Sequence, residues 1–476
     1  MRSYSALALL LLAGPVAAQP ERYELGRRLK AFEAAWENYD SPAARDRALA
    51  LLPKVTNQFF SFQFGEAGRT LDLAAEALRT DVAPGRDRQW LLSLSAFPEA
   101  RLVDGSVREL GVTIRPFYPV TGDFPRGWEL RLWFTERDVV TVKPDKFPVT
   151  VKVPLPPLGE SRGLDRRLYL LADGAKELRP VSVGVSQVAD LTVRLKELGK
   201  RLERLERDEG KRAASLERAT ARNRWAVLSR AVQDPSGSVP VTDLPYAELL
   251  ANAEAMLDGR PFFTAARPGQ FWLVVPTERG NATPCRIYVP KGLDASKPVP
   301  VVVALHGAGV DENMFFESYG AGQAVKECEK RGWLLVAPRS GLSLGGDGPP
   351  VAQVLAALAD RYPFDPKKVF VVGHSMGAMQ ATAQAAGGKF AAVALLGGAG
   401  RVSRTEAFAE LPVFIGVGDK DGLALTGARR LNQALVASGA KAVTFKEYPG
   451  VEHLVIVRQA LPDAFELFDA VAGRRP

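Results

Sequence analysis

The feature that most constrains this chain is a tight glycine–serine turn between an apolar strand and a helix. The apolar run Val369–Val372 leads directly into Gly373-His374-Ser375-Met376-Gly377, and helix-forming residues follow over 378–386. A serine on such a sharp turn takes a strained backbone conformation, so small residues are needed two positions to either side. The helix that begins there directs its first N–H groups at the same point. The pattern predicts that Ser375 is an exposed nucleophile flanked by the necessary glycines Gly373 and Gly377.

A second copy of the five-residue pattern shows that the motif alone is not specific. Gly341-Leu342-Ser343-Leu344-Gly345 matches it equally well. The residues that follow, Gly346-Asp347-Gly348-Pro349-Pro350, cannot begin a helix. We therefore predict that Ser343 is a loop serine.

The C-terminal half of the chain alternates between short apolar runs and helical segments. The runs are Pro298–Leu305, Trp333–Ala337, Val369–Val372, Ala392–Leu396, Pro412–Val417 and Val443–Tyr448. Continuous apolar strands joined by helical crossovers are typical of a parallel sheet that helices cover on both faces. The fold class is therefore α/β.

The chain has three histidines, and their positions narrow the choice of a general base. His374 is the neighbour of Ser375 in a tight turn, so we expect its side chain to project elsewhere. His306 closes an apolar strand, and we expect it to bond to local backbone. His453 follows the strand end at Tyr448 and is the remaining candidate. Either Asp419 or Asp421, which end the preceding strand, could orient it.

These elements, with the turn His306-Gly307-Ala308-Gly309 after another apolar strand, resemble the α/β-hydrolase superfamily. The resemblance covers roughly residues 270–475 and is strongest to secreted serine esterases of the polyhydroxybutyrate-depolymerase and feruloyl-esterase type. Little sequence separates Ala392–Leu396 from Pro412, which leaves no room for the helical lid of many lipases. The resemblance therefore implies an open site for soluble or exposed esters.

Carried over residue by residue, the resemblance implies Ser375 as nucleophile, Asp421 as orienting acid and His453 as general base. The acid of this family usually lies three residues after the strand-end glycine, which selects Asp421 over Asp419. The backbone N–H groups of Ala308 and Met376 would form the oxyanion hole. Gly307 and Gly309 would shape the turn that carries the first of these donors. No metal and no organic cofactor is implied.

The first half of the chain divides into regions with different sequence patterns. Residues 19–85 predict a helical segment with breaks at Pro42 and Gly65, and residues 86–186 predict short strands of a small β-sandwich-like domain. Residues 187–237 predict a helical connector, and the catalytic domain would occupy 238–476. Val188 and the leucines from Leu191 to Leu205 fall at heptad spacing, so the connector is either a dimerising coiled coil or, since the seam is short, a helix packed within the chain.

The N-terminus predicts export. Arg2, the apolar run Ala6–Leu12 and the small residues Val16-Ala17-Ala18 have the pattern of a signal peptide cleaved after residue 18, so we expect a secreted or periplasmic protein with no integral membrane segment. In that compartment Cys285 and Cys328 could form a disulfide or remain buried free thiols.

The charge distribution argues against a nucleic-acid partner. The net charge is +8, and the basic residues are interleaved with acidic ones. The sequence favours a serine esterase acting on small-molecule or polymer esters. One alternative is a serine peptidase of the prolyl-oligopeptidase type, against which the short β region argues. The other is a binding protein on a decayed hydrolase scaffold, against which the intact Ser, Asp and His argue.

The two copies of the motif generate a first prediction. Ser375→Ala should abolish ester hydrolysis, because only this serine is followed by a helix, whereas Ser343→Ala should leave it largely intact. Turnover of a p-nitrophenyl ester by both purified variants checks this. Loss of activity in a folded Ser343 variant would overturn the assignment.

Overall fold

The computed structural model describes residues 20–173, 180–208, 215–235, 242–277, 282–294, 296–341, 348–388, 390–400, 402 and 404–473. The predicted signal peptide and Ser343 lie outside these residues. The described residues divide into two compact units. The first consists of the described parts of Met1–Leu29, Gln58–Arg212 and Ala221–Arg260, and the second of those of Lys30–Asn57, Ala213–Thr220 and Pro261–Pro476. The predicted domain limits at 85, 186 and 237 stay predictions.

The N-terminal segment is helical, as its sequence pattern indicates. Its helices are α1 (Pro20–Asn38), α2 (Pro42–Leu51), α3 (Val55–Phe60), α4 (Phe64–Arg79) and α5 (Arg86–Ser93). Pro42 begins α2, where its missing N–H is not needed. The predicted break at Gly65 is wrong, because Gly65 lies in the first turn of α4 and the chain turns at Phe62, with a φ of 59°. A Cβ on Gly65 would lie 3.3 Å from the Phe117 carbonyl oxygen, so this glycine permits close packing.

Two antiparallel-rich sheets follow within the first unit. Their strands are β1 (Leu94–Pro98), β2 (Leu102–Asp104), β3 (Glu109–Pro116), β4 (Leu130–Trp133), β5 (Val140–Val142), β6 (Val149–Pro154), β7 (Gly163–Ala172) and β8 (Val181–Val188). The sheet orders are β1-β3-β6 and β2-β8-β7-β4-β5. Inward-facing residues of both sheets, such as Val112, Leu132 and Val183, are fully buried in one hydrophobic cluster. Period-two alternation along the strands supplies this shared core.

Three more helices complete the first unit: α6 (Leu191–Asp208), the greater part of α7 (Leu216–Gln233) and α8 (Tyr246–Met256). The predicted seam begins too early, because Val188 is the last residue of β8. Leu195 and Leu202 are buried within this chain, and the Trp225 indole N–H donates to the Leu195 carbonyl at 3.0 Å. The leucine seam is therefore covered inside the unit, as the intramolecular alternative predicts.

The second unit is built on a mostly parallel sheet of eight strands, which confirms the predicted α/β class. The strands are β9 (Gly269–Pro276), β10 (Ala282–Val289), β11 (Val299–Leu305), β12 (Leu334–Pro338), β13 (Phe364–His374), β14 (Ala392–Leu396), β15 (Val413–Gly418) and β16 (Val443–Tyr448). Their order is β16-β15-β14-β13-β11-β12-β10-β9. β11 to β16 pair in parallel, and β10 pairs antiparallel with β9 and β12.

Crossover helices connect the parallel strands. They are α9 (Gln323–Arg331), α10 (Val351–Ala359), α11 (Met376–Gly387) and α12 (Leu425–Ala437), and a further helix, α13 (Ile456–Ala472), follows the last strand. The strand residues between them are almost entirely buried, for example all five of β14. A parallel sheet brings the carboxyl ends of its strands to one edge, where the predicted site residues lie.

Of the two alternatives for the cysteines, the structure has the free thiols. Cys285 and Cys328 are both fully buried and unbonded to each other. Burial raises the pKa of each thiol, so the reactive thiolate is disfavoured. In the described part of the chain, no helix is both long and apolar enough to cross a membrane.

Candidate active site

Ser375 lies at the turn between β13 and α11, in the conformation that the sequence motif demands. Its φ is 55° and its ψ −115°, which is unusual for a residue with a side chain. Its N–H donates to the Leu396 carbonyl of the neighbouring strand at 3.0 Å, and its own carbonyl accepts from the first turn of α11. The strained conformation is thus fixed from both sides, and the hydroxyl stands at the carboxyl edge of the sheet.

The two motif glycines are required by close backbone approach. A Cβ on Gly377 would overlap the Leu305 carbonyl oxygen of β11, and a Cβ on Gly373 would overlap the carbonyl of Gly377. Both obstacles are backbone atoms, which cannot swing aside as a side chain can. The turn closes only because neither position carries a side chain.

Hydrogen bonds join Ser375 to His453 and His453 to Asp421. Ser375 Oγ lies 2.9 Å from His453 Nε2, and His453 Nδ1 lies 2.8 Å from Asp421 Oδ2. A carboxylate can only accept, so Nδ1 carries the proton and Nε2 faces the serine hydroxyl with its lone pair. The second Asp421 oxygen accepts from the backbone N–H groups of Leu423 and Ala424 at 3.1 and 2.9 Å. The structure therefore brings together the three residues that the resemblance selects.

Among the described residues, Asp419 forms no hydrogen bond with the His453 ring, which pairs with Asp421. Its carboxylate accepts from the Gly450 N–H at 2.8 Å, and the neighbouring Lys420 N–H donates to the Val451 carbonyl at 2.9 Å. These bonds tie the loop that carries Asp421 to the loop that carries His453. Asp419 thus supports the backbone of the site.

The predicted oxyanion turn follows β11 and packs against the nucleophile. A Cβ on Gly307 would lie 3.4 Å from the Ser375 Cβ, and Gly309 has a left-handed φ of 79°. Ala308 is half-buried beside them. Met376 is the first residue of α11, where a backbone N–H has no partner within the helix. Both predicted donors therefore flank Ser375.

The other two histidines have opposite proton positions. His306 Nδ1 donates to the Gly307 carbonyl at 2.8 Å and its Nε2 accepts from the Ser340 N–H at 2.9 Å, so it bonds to local backbone as predicted. His374 does not point away from the site: its Nε2 donates to the His453 carbonyl at 2.9 Å. Its place as the last residue of β13 turns its ring toward the neighbouring loop. Burial lowers the pKa of His306 and brings that of His374 to about 3.

Two further side chains support the site, and no sequence motif predicted either of them. The Tyr319 hydroxyl lies 2.7 Å from His374 Nδ1. The buried Glu452 carboxylate accepts from the backbone N–H groups of Leu454 and Val455 and from the Thr56 hydroxyl, at 2.7, 3.1 and 3.0 Å. Glu452 is adjacent to His453 in sequence, which was a signal for it; Tyr319 had none. Within the described ranges, no group of histidine, cysteine and carboxylate side chains is arranged to hold a metal ion.

The comparisons with known proteins concern the same part of the chain. Residues 350–464 match the model of the dienelactone hydrolase family. No curated protein matches the chain. A solved structure of a thermostable esterase is 15% identical with a TM-score of 0.39, covering 79% of this chain and 99% of that one. A feruloyl esterase module from Clostridium thermocellum is 15% identical with a TM-score of 0.36, covering 43% of this chain and 91% of that one.

The family match and the parallel sheet confirm the predicted class of protein. The chain carries an α/β-hydrolase fold in its second unit and is a hydrolase. The matched residues 350–464 contain the Ser375 turn, Asp421 and His453.

The close approach at the nucleophile turn generates a second prediction. Gly377→Ala should prevent the turn from closing, with loss of activity and a lower melting temperature, because the methyl group would overlap the Leu305 carbonyl. Gly387, at the other end of the same helix, has open space around it, so Gly387→Ala should be neutral or stabilising by about 0.5–1 kcal/mol. Thermal unfolding and ester turnover of both variants check this. Equal behaviour of the two would contradict it.

The two aspartates generate a third prediction. Asp421→Asn should lower kcat by about 10⁴-fold, because an amide favours the wrong tautomer of His453. Asp419→Asn should have a mild effect, since its amide oxygen can still accept from the Gly450 N–H. Steady-state kinetics decide between them, and a larger loss from the Asp419 change would assign the acid to that residue.

Proposed function

We propose that the chain is a serine-dependent carboxylic ester hydrolase that works through an acyl-enzyme. The observation that carries this proposal is the continuous hydrogen-bonded series from the Ser375 hydroxyl through His453 to the Asp421 carboxylate. Its order along the chain, serine then acid then histidine, is the order of α/β-hydrolases.

In the proposed mechanism, His453 Nε2 takes the Ser375 proton as the hydroxyl oxygen attacks the ester carbonyl. Asp421 holds the imidazole in the Nδ1–H form and stabilises the imidazolium. His453 then gives its proton to the departing alcohol, which leaves the acyl group on Ser375. A water activated by His453 attacks this acyl-enzyme, and the acid is released with the serine hydroxyl restored.

The charge that develops on the carbonyl oxygen needs fixed donors. The proposed donors are the backbone N–H groups of Ala308 and Met376, which come from two different elements and flank Ser375. Backbone donors held by the turn need no rearrangement as the negative charge forms. Mutational loss of one such donor costs about 3–4 kcal/mol in comparable sites.

The proposed substrates are small or exposed carboxylic esters, including polymer chains. Between β14 and β15 the described residues form only a short 3₁₀ turn, Thr405–Phe408, which supports an open approach to Ser375. The N-terminal sequence pattern supports the further proposal that the enzyme acts after export, in the periplasm or outside the cell.

A fluorophosphonate probe and a substrate panel test the proposal. The probe should label the wild-type chain and not Ser375→Ala, and p-nitrophenyl esters of graded length, feruloyl esters and polyesters should reveal the acyl preference. Cleavage of p-nitroanilides without cleavage of esters would instead establish a peptidase. A folded wild-type chain that is not labelled would indicate a binding protein.

The titration of the site generates a fourth prediction. kcat/KM should fall on an acidic limb, because only the neutral imidazole of His453 can accept the Ser375 proton. The pKa of His374 is about 3, so His374→Gln should leave the shape of the profile unchanged. His453→Gln should remove both the activity and the acidic limb.

Glu452 supplies the control for this profile. Burial raises the pKa of its carboxyl group to about 7, so its own titration is the competing explanation of an acidic limb. Glu452→Gln keeps an oxygen that can accept from the Leu454 and Val455 N–H groups. The limb should persist in this variant, measured on a water-soluble short-chain ester. Its disappearance would assign the ionisation to Glu452.

A further inference from the structure

A series of contacts behind the catalytic side chains joins two parts of the site. The Tyr319 hydroxyl oxygen packs against Gly307 of the oxyanion turn, where a Cβ would lie 3.3 Å from it. The Tyr319 hydroxyl meets His374 Nδ1 at 2.7 Å, and His374 Nε2 meets the His453 carbonyl oxygen at 2.9 Å. The series of contacts therefore begins at the oxyanion turn and ends at the backbone of the general base.

The donor and the acceptor of each hydrogen bond in this series follow from the carbonyl group at its end. The His453 carbonyl can only accept, so His374 Nε2 must carry a proton. A neutral His374 then has its lone pair on Nδ1, where the Tyr319 O–H must donate. The tyrosine oxygen also lies against Gly307 of the oxyanion turn. Each group has one fixed role, and reversing any bond would place two acceptors or two donors face to face.

Burial keeps the side chains of Tyr319 and His374 uncharged. Tyr319 and His374 are 3% and 4% exposed. Burial raises the pKa of the Tyr319 hydroxyl and lowers that of His374 to about 3. The rings of His374 and His453 have centroids 4.9 Å apart. A charged His374 would therefore oppose the imidazolium that forms on His453 during the proposed reaction, and the neutral form does not.

The turn that carries Tyr319 is itself held in place. Tyr319–Ala321 is a 3₁₀ turn with Gly320 and Gly322 in left-handed conformations, at φ values of 58° and 76°. This turn packs against α13. Glu33 forms an ion pair with Arg458, in the first turn of α13. Tyr319 is thus anchored to the helix that follows the His453 loop.

We propose that Tyr319 and His374 are positioning residues of the esterase site, which fix the distance between the oxyanion turn and the base. By holding the His453 carbonyl, they keep Nε2 of that residue facing the Ser375 hydroxyl. By packing against Gly307, the Tyr319 hydroxyl keeps the turn with the Ala308 donor against Ser375. This inference rests on the proposed ester hydrolysis and adds two residues that touch no substrate.

Kinetics of conservative variants test the proposal. Tyr319→Phe removes one hydroxyl, its hydrogen bond with His374 and its contact with Gly307, so kcat should fall about tenfold or more, within the roughly 100-fold that a misplacement of about 1 Å costs. KM should change less than twofold, because no binding contact is lost. Tyr362→Phe is the matched control, since this tyrosine is also buried and its hydroxyl makes no hydrogen bond within the described residues. That variant should retain the wild-type kcat.

Two replacements of His374 distinguish its hydrogen bond with the His453 carbonyl from its hydrogen bond with Tyr319. The Gln side chain in His374→Gln places its amide N–H where Nε2 lies and can still donate to the His453 carbonyl. The shorter side chain of His374→Asn reaches only toward Tyr319. The Gln variant should therefore keep more of the kcat than the Asn variant, and adding Tyr319→Phe to the Asn variant should cost less than Tyr319→Phe alone. A purely structural role would instead lower the melting temperature and leave kcat per folded molecule unchanged.

Nitrogen NMR of the three histidines gives a readout that needs no activity. In the chain labelled with ¹⁵N-histidine, His374 should be the neutral Nε2–H tautomer from about pH 5 to 8, and His306 the neutral Nδ1–H tautomer. Tyr319→Phe should shift the Nδ1 resonance of His374 and leave that of His306 in place. An Nδ1–H or charged His374 would overturn the inference.

The two proposals fail in different ways. An active wild-type enzyme with unchanged kcat in Tyr319→Phe and His374→Asn would overturn the positioning role alone. A folded wild-type chain that neither hydrolyses esters nor reacts with a fluorophosphonate would overturn both.

Discussion

The site depends on one strained residue. Ser375 has a φ of 55°, a conformation that costs on the order of 1–3 kcal/mol and persists only where the surroundings enforce it. Here the enforcing groups are backbone atoms: the Leu396 carbonyl receives the Ser375 N–H, and the Leu305 carbonyl leaves no space for a side chain at Gly377. Since both partners lie on strands next to β13, the nucleophile turn can form only once three strands are aligned. The strain is therefore carried by the sheet and not by the loop.

The same sheet explains why distant residues meet. Ser375, Asp421 and His453 each follow the carboxyl end of a parallel strand, and the oxyanion turn follows another. Side chains separated by 78 and 32 positions then come within hydrogen-bond distance without a long loop. Short backbone bonds between the acid and base loops, including that from Lys420 to Val451, limit their independent motion. The chemistry is assembled from strand ends, and each loop contributes little more than one functional group.

Residues fixed by local sequence constraints could be predicted, and residues whose role depends on tertiary contacts could not. Ser375 was predictable because its turn imposes residue types within five positions, and His453 because the chain has three histidines. Asp421 and Asp419 differ by a backbone turn, which no local pattern distinguishes, so the family resemblance had to select between them. Tyr319 lies in irregular helical turns with no periodic pattern, and its role arises from tertiary contacts alone. Gly65 misled because a glycine needed for packing looks the same as a glycine that ends a helix.

The N-terminal helices bear on the site through buried polar contacts that sequence texture does not reveal. Residues 30–57 belong to the compact unit that contains Ser375. From this segment Glu33 pairs with Arg458, and the Thr56 hydroxyl donates to Glu452 beside the base. Removing one partner of a buried ion pair costs about 3–5 kcal/mol, because the remaining charge stays buried without compensation. A fragment that starts at residue 238 would leave Arg458 and Glu452 without these partners. The catalytic unit is therefore discontinuous in sequence, and its base loop relies on helices that the chain makes more than 390 residues earlier.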